Sequence, residues 1–169
     1  AIEELRDTTA AAKVALVGLR LGAALAARVA ARRPEDVDAL VLWDPVVGGD
    51  EYLGELVSGA SYAMDCVPRP ADAGGGYDVL GFPLTGTLMK EIAAIDLCEL
   101  VPAMPARMLV LASQALPSHQ RLEAALARRP AAEGALERIE CEPAWLEKED
   151  LGAGAIPVAI LQRITGWFG

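Results

Sequence analysis

Histidine is nearly absent from this 169-residue chain, with His119 the only one, so any mechanism that needs an imidazole base has one place to find it. Cysteine is almost as scarce. Cys66, Cys98 and Cys141 are odd in number, widely separated and outside the C-x-x-C spacing of a zinc or redox motif. That argues against a disulfide framework and for a reducing, cytoplasmic setting. Positive charge is in deficit: 15 Lys and Arg against 24 Asp and Glu give a formal charge of -9. A phosphate backbone or an anionic membrane surface is repelled at long range, which excludes nucleic acid as a partner. Long apolar runs are missing as well. Lys13, Arg20, Arg28, Arg32 and Arg33 break the richest segment before it reaches the roughly 18 residues of a membrane span, and the first residues carry no signal-peptide pattern. No metal-ligand spacing and no cofactor motif is present. The triple glycine at 74–76 lacks the rest of a phosphate-binding loop and reads as a loop tip.

What the chain has is apolar residues, 53% of the total, enough for one domain over 1–169 that buries roughly 70% of its unfolded surface. The chain opens inside a helix-like stretch, "AIEELRDTTAAA". Short apolar runs predict strands at 13–17, 38–43, 107–112 and 136–141, continuous rather than alternating, as strands buried on both faces are. Helices are predicted at 21–33, stopped by Pro34, and at 118–129 and 157–168. Strand and helix in alternation imply right-handed crossovers, hence an α/β fold with a parallel, doubly wound sheet and helices on both faces. Residues 48–104 break the rhythm as a lid-like insertion with helices at 50–58 and 84–95.

The stretch of greatest chemical interest is Gly18-Leu19-Arg20-Leu21-Gly22, where the first strand meets the first helix. A G-x-S-x-G nucleophile elbow forces its central residue into a strained turn and needs small neighbours, because the helix passes close to the sheet. The frame is here and Ala23 is small too, but a guanidinium stands where a serine would attack.

On "VGLRLGA" (17–23), "LVLWDPVVGGDEYL" (40–53) and "GFPLTGTLMKEIAAIDL" (81–97) the chain resembles the α/β-hydrolase superfamily, and within it the hydrolase-like proteins associated with the exosortase system of bacterial exopolysaccharide gene clusters. The resemblance covers the C-terminal part of such a protein, from its fifth strand onward. It implies earlier strands ahead of residue 1; without them, the strand at 13–17 would have a bare apolar edge that a preceding segment or a homodimer must cover. It also implies a triad in the order Ser, acid, His. The serine position is Arg20. The acid position after 107–112 holds Ser113, Gln114 and Ala115, or, one strand earlier, Asp44. The segment after 136–141 holds no histidine. Arginine stays protonated and can be neither nucleophile nor base, and losing triad members costs several orders of magnitude in rate. The Leu21 N–H is the one oxyanion donor left to propose.

The residues therefore point to a hydrolase-like chain that no longer catalyses, and that binds a small anionic or acyl ligand, or a partner protein, through Arg20, Leu21 and Asp44. A working hydrolase of esters, amides or acyl-carrier thioesters, with nonstandard residues or residues from a missing N-terminal region, is the rival. A scaffold subunit is the third reading. Arg20 has two roles open to it: a salt bridge to Asp44 on the neighbouring strand end, or a charge added to the anion-attracting start of the helix. His119 activating Ser113, Ser118 or Cys66 is a conceivable rescue, although a histidine at a helix start is commonly a surface residue and Ser118 reads as an N-cap. Cys98 reads as packing, Trp43, Tyr52 and Trp145 as core or rim, and Trp167 with Phe168 as the seal of the last helix.

Overall fold

The computed structural model describes residues 2–58, 69–70, 76–79, 82–129, 135–141 and 156–169; Cys66, Trp145 and the segment 142–155 lie outside them. In chain order the elements are α1 (Ile2–Thr9), β1 (Val14–Leu19), α2 (Leu21–Arg32), β2 (Val37–Trp43), α3 (Gly49–Ser58), β3 (Arg69–Pro70), β4 (Tyr77–Val79), β5 (Phe82–Leu84), α4 (Gly86–Ala93), α5 (Leu97–Leu100), β6 (Arg107–Ala112), α6 (Pro117–Leu126), β7 (Leu136–Arg138) and α7 (Val158–Phe168).

The first of two compact units comprises Ala1–Val47, Leu97–Cys141 and Val158–Gly169. Its sheet has the order β1-β2-β6-β7 with every neighbour parallel. Side chains of successive strand residues point to opposite faces, so the continuous apolar runs of β2 and β6 serve two cores. Leu40, Leu42, Met108 and Val110 face α2, α5 and α6, while Val41, Trp43, Leu109 and Leu111 face Ile160 and Ile164 of α7. This is the doubly wound arrangement that alternating strand and helix predict. Each fully buried Leu or Ile contributes roughly 1.5–3 kcal/mol to holding the layers together. Helix α2 meets the sheet through alanines, with Ala23, Ala24, Ala27 and Ala30 all buried, and the absence of bulk lets it lie close. At its far end the buried Asp36 accepts hydrogen bonds from Arg6 and from Arg33 Nε (2.6 Å), tying α1 to the start of β2. Strand β1 is the end strand of this sheet among the described residues; Val17 and Leu19 on it are exposed.

The sequence places these elements well and their ends less well. β1 runs to Leu19 rather than stopping at residue 17, because the ladder to β2 continues as far as Leu19 opposite Trp43. β7 ends at Arg138, not at 141: the Ile139 N–H still donates to Ala112 O (2.9 Å), and Ile139 and Cys141 then pack against the α7 face without further pairing. α6 begins at Pro117 and stops at Leu126, three residues short of the expected end. Beyond it Arg129 donates to the carbonyls of Met104 and Pro105, both at 2.9 Å.

The second unit is built around Gly48–Asp96. It holds α3, α4 and a small antiparallel sheet of order β3-β4-β5. The helix expected from residue 84 starts at Gly86, since Leu84 pairs with Tyr77 and the Thr85 hydroxyl caps α4 by accepting from the Leu88 N–H (3.2 Å). Leu97–Leu100 and Val101–Ala103, within the 48–104 stretch, pack instead in the first unit.

Candidate functional site

The polar residues singled out from the sequence gather at the C-terminal ends of β1, β2 and β6, the edge at which open α/β sheets bind their ligands. Arg20 sits between β1 and α2 at φ 51° and ψ -122°, a backbone conformation that a residue with a side chain adopts only under strain. Three backbone bonds hold it there: the Arg20 N–H donates to Trp43 O (3.0 Å), and the N–H groups of Ala23 (3.0 Å) and Val46 (3.4 Å) donate to Arg20 O. The reason for Gly18 is steric. A Cβ on it would lie 2.5 Å from Ala23 Cα. The turn is the sharp strand-to-helix elbow that the glycine frame predicts. Gly22, expected to be small for the same reason, has open space where its Cβ would be.

Asp44 occupies the corresponding position on β2 and is strained in the same sense, with φ 43°. Its N–H donates to Leu111 O (2.8 Å), and its Oδ1 accepts from the Ser113 N–H (2.6 Å). It thereby stitches the end of β2 to the end of β6. Among the described residues no ion pair joins Asp44 to Arg20, so the salt bridge read from the sequence is replaced by this backbone stitching. The two residues follow a registered pair, Leu19 opposite Trp43.

His119 is brought to the same edge, but it is fully buried rather than on the surface. Its Nδ1 accepts from the Leu116 N–H (3.4 Å). Burial pulls the imidazole below its ordinary value of 6.5, against the opposing pull of the Asp44 charge. Leu116, not Ser118, is the N-cap of α6, and Ser118 is buried inside the first turn. Ser113 is buried too. Among the described residues, three side-chain atoms of this group, Asp44 Oδ2, Ser113 Oγ and His119 Nε2, are buried without a hydrogen-bond partner, as is Trp43 Nε1. Nothing in the sequence announces that, because a lost partner is a property of three-dimensional neighbours. The arrangement brings Asp44, Ser113 and His119 together, but it does not hydrogen-bond Ser113 Oγ to His119 Nε2, as a nucleophile and base would be.

The remaining candidates have structural roles. Cys98 packs against the α2 face of the core and Trp43 belongs to the α7 face. Trp167 packs against that same face, whereas Phe168 stays partly exposed, and the Arg107 guanidinium stacks on both rings, 4.7 and 5.9 Å from their centres. The seal expected of the pair is made by Trp167 alone. Among the described residues no three His, Cys, Asp or Glu side chains are placed to hold a metal ion, and no helix is long and apolar enough to cross a membrane.

Among the described residues, a four-stranded parallel sheet covered on both faces, with a strained strand-to-helix elbow at its C-terminal edge, makes an α/β fold that matches solved structures of α/β hydrolases. The chain is similar to Est1E from Butyrivibrio proteoclasticus at 14% identity and a TM-score of 0.57, over 99% of this chain and 68% of that one. It is similar to one of the metagenome-derived lipolytic enzymes LipS and LipT at 17% identity and a TM-score of 0.56, over 98% and 68%. It also matches MGS-MChE2, an alpha/beta hydrolase enzyme from the metagenome of lagoon sediments at Mar Chica, Morocco, at 16% identity and a TM-score of 0.52, over 99% and 66%. The chain thus spans about two thirds of the length of each. No family model and no curated protein matches it.

Proposed function

We propose that this chain is a non-catalytic member of the hydrolase fold, which binds a small anionic or acyl ligand at the strand-end edge through Arg20, the Leu21 N–H and the neighbourhood of Asp44. The finer placement, among cytoplasmic proteins associated with exosortase systems, rests on the stretches 17–23, 40–53 and 81–97 and belongs to the same proposal. The observation that carries the reading is the conformation of Arg20. Strain of this kind costs on the order of 1–3 kcal/mol and persists where the surroundings enforce it, and here it holds a permanent cation at the start of α2, whose first N–H groups receive no side-chain cap from the N-cap residue. A helix start attracts anions, and a guanidinium matches a carboxylate or phosphate with two donors.

Serine-triad chemistry has no support at this elbow. The elbow residue cannot attack, and the histidine nearest the edge is buried with Nδ1 engaged by Leu116. Two assays separate the readings. Acetate, butyrate and phosphate should raise the melting temperature of the protein, as any ligand selective for the native state does, and the rise should vanish in Arg20→Ala. Hydrolysis of p-nitrophenyl acetate or butyrate above the buffer rate, lost in His119→Ala, would establish the working-hydrolase alternative instead.

A further inference from the structure

His119 combines three properties that a plain core residue does not need. It has no exposed surface, its Nδ1 accepts the Leu116 N–H at the mouth of α6, and its Nε2 has no hydrogen-bond partner among the described residues. The backbone closes the clasp, with the His119 N–H donating to Leu116 O at 3.0 Å. We propose that His119 is an acid-sensitive latch on the first turn of α6, closed while its ring is neutral and released when Nδ1 takes up a proton.

The chemistry of the ring makes the latch conditional. A neutral imidazole has one acceptor nitrogen, and here that nitrogen is spent on Leu116. An imidazolium has two N–H donors and no acceptor, so protonation turns the Leu116 contact into donor against donor. The new charge is also out of reach of water, and among the described residues Nε2 has no hydrogen-bond partner to share it. The charged groups that bear on the ring come from each neighbouring element. Asp44 at the end of β2, Glu123 in α6 and a backbone hydrogen bond to Gln114 favour the proton, while Arg138 in β7 opposes it, and burial opposes it most, so that the balance is against the charged ring in the closed state. Cys141, beyond β7, adds no charge of its own, since burial and Asp44 both keep its thiol protonated.

Release has a local outlet. Leu122 and Leu126 anchor the rest of α6 in the core, and Pro117 holds its first helical position at a helical φ without needing a donor. The segment free to move is therefore Gln114 to Leu116. It leads directly from Ser113, whose N–H rests on Asp44 Oδ1. Opening this turn lets water reach Ser113 Oγ and Asp44 Oδ2, two buried atoms that have no hydrogen-bond partner among the described residues in the closed state. The latch thus controls access to the edge beside Arg20, and it does so whether or not a ligand binds there.

Amide hydrogen exchange followed by NMR on the free protein tests this, with the His119 ring shift recorded in the same titration. Because one proton is taken up on opening, the exchange-competent population at Leu116, after correction for intrinsic rates, should rise by up to tenfold for each pH unit below about 6.5. The amide of Leu42 in the middle of the sheet should not follow. In His119→Asn, which keeps a side-chain acceptor for Leu116 but cannot titrate, the pH dependence at Leu116 should disappear. Three results would overturn the proposal: protection at Leu116 that does not change while the ring titrates, equal loss at Leu116 and Leu42, or the same pH dependence in His119→Asn. If that variant fails to fold, the first two comparisons in the natural chain still decide.

Discussion

The elbow can be tested through its two glycines, which the sequence makes look equivalent and the structure does not. A methyl group on Gly18 would lie 2.5 Å from Ala23 Cα and 2.6 Å from Ala23 N. Both are backbone atoms of α2, and neither can swing aside. Relief requires α2 to back away from β1 by roughly 1 Å, which loosens the contacts of Ala23, Ala27 and Ala30 against the sheet. Overpacking costs about 1–3 kcal/mol when side chains can adjust, so with backbone in the way Gly18→Ala should cost about 3 kcal/mol. A methyl group on Gly22 meets nothing within 4 Å. There the helical preference of alanine over glycine acts alone, and Gly22→Ala should gain about 0.5 kcal/mol, less than the full ~1 kcal/mol because the site is in the first turn. Urea unfolding followed by tryptophan fluorescence reads both. With a slope of about 2 kcal/mol per molar, the midpoint should fall by about 1.5 M for Gly18→Ala and rise by about 0.3 M for Gly22→Ala. A Gly18→Ala midpoint within 0.2 M of the natural chain would refute the close approach of helix to strand, and with it the elbow.

Arg20→Gly should raise stability by about 1 kcal/mol in urea unfolding, because glycine adopts φ 51° freely, and Arg20→Ser should leave p-nitrophenyl ester hydrolysis at the buffer rate. Asp44→Ala should cost about 2 kcal/mol by leaving the buried Ser113 N–H without its acceptor; Asp44→Asn, which keeps an acceptor and tolerates positive φ, should cost under half of that in the same assay. Stability should also fall on acidification. The native His119 is held below its ordinary 6.5 by burial, so between about pH 6.5 and that lower value the unfolded chain binds more protons. The loss approaches 1.4 kcal/mol per pH unit in that window, none of it arises above about pH 7, and in His119→Asn this component should be missing from chemical melts at pH 7, 6 and 5.

The residues themselves determined a good deal. β2 and β6 were legible because a strand buried on both faces has to be apolar at every position, and "LVLW" and "MLVLA" are. The alanines of α2 and the glycine ahead of it mark a helix pressed on a sheet, a demand for small side chains that is written in composition. Ends were harder. The stop of β7 depends on where Ile139 finds packing, and the start of α4 on whether Leu84 is claimed by a strand; neither is local.

Only the tertiary structure decided the chemistry of the edge. Asp44 and Ser113 are 69 positions apart and meet because β2 and β6 are adjacent. Sequence spacing made Asp44 a partner for Arg20, but the fold gave its carboxylate to a backbone N–H on the other side. It also buried the single histidine and tied its one acceptor nitrogen to Leu116. Composition could say that His119 was the only base available; whether it faces water or the core depends on how α6 packs against the sheet, and a residue's identity carries no record of that.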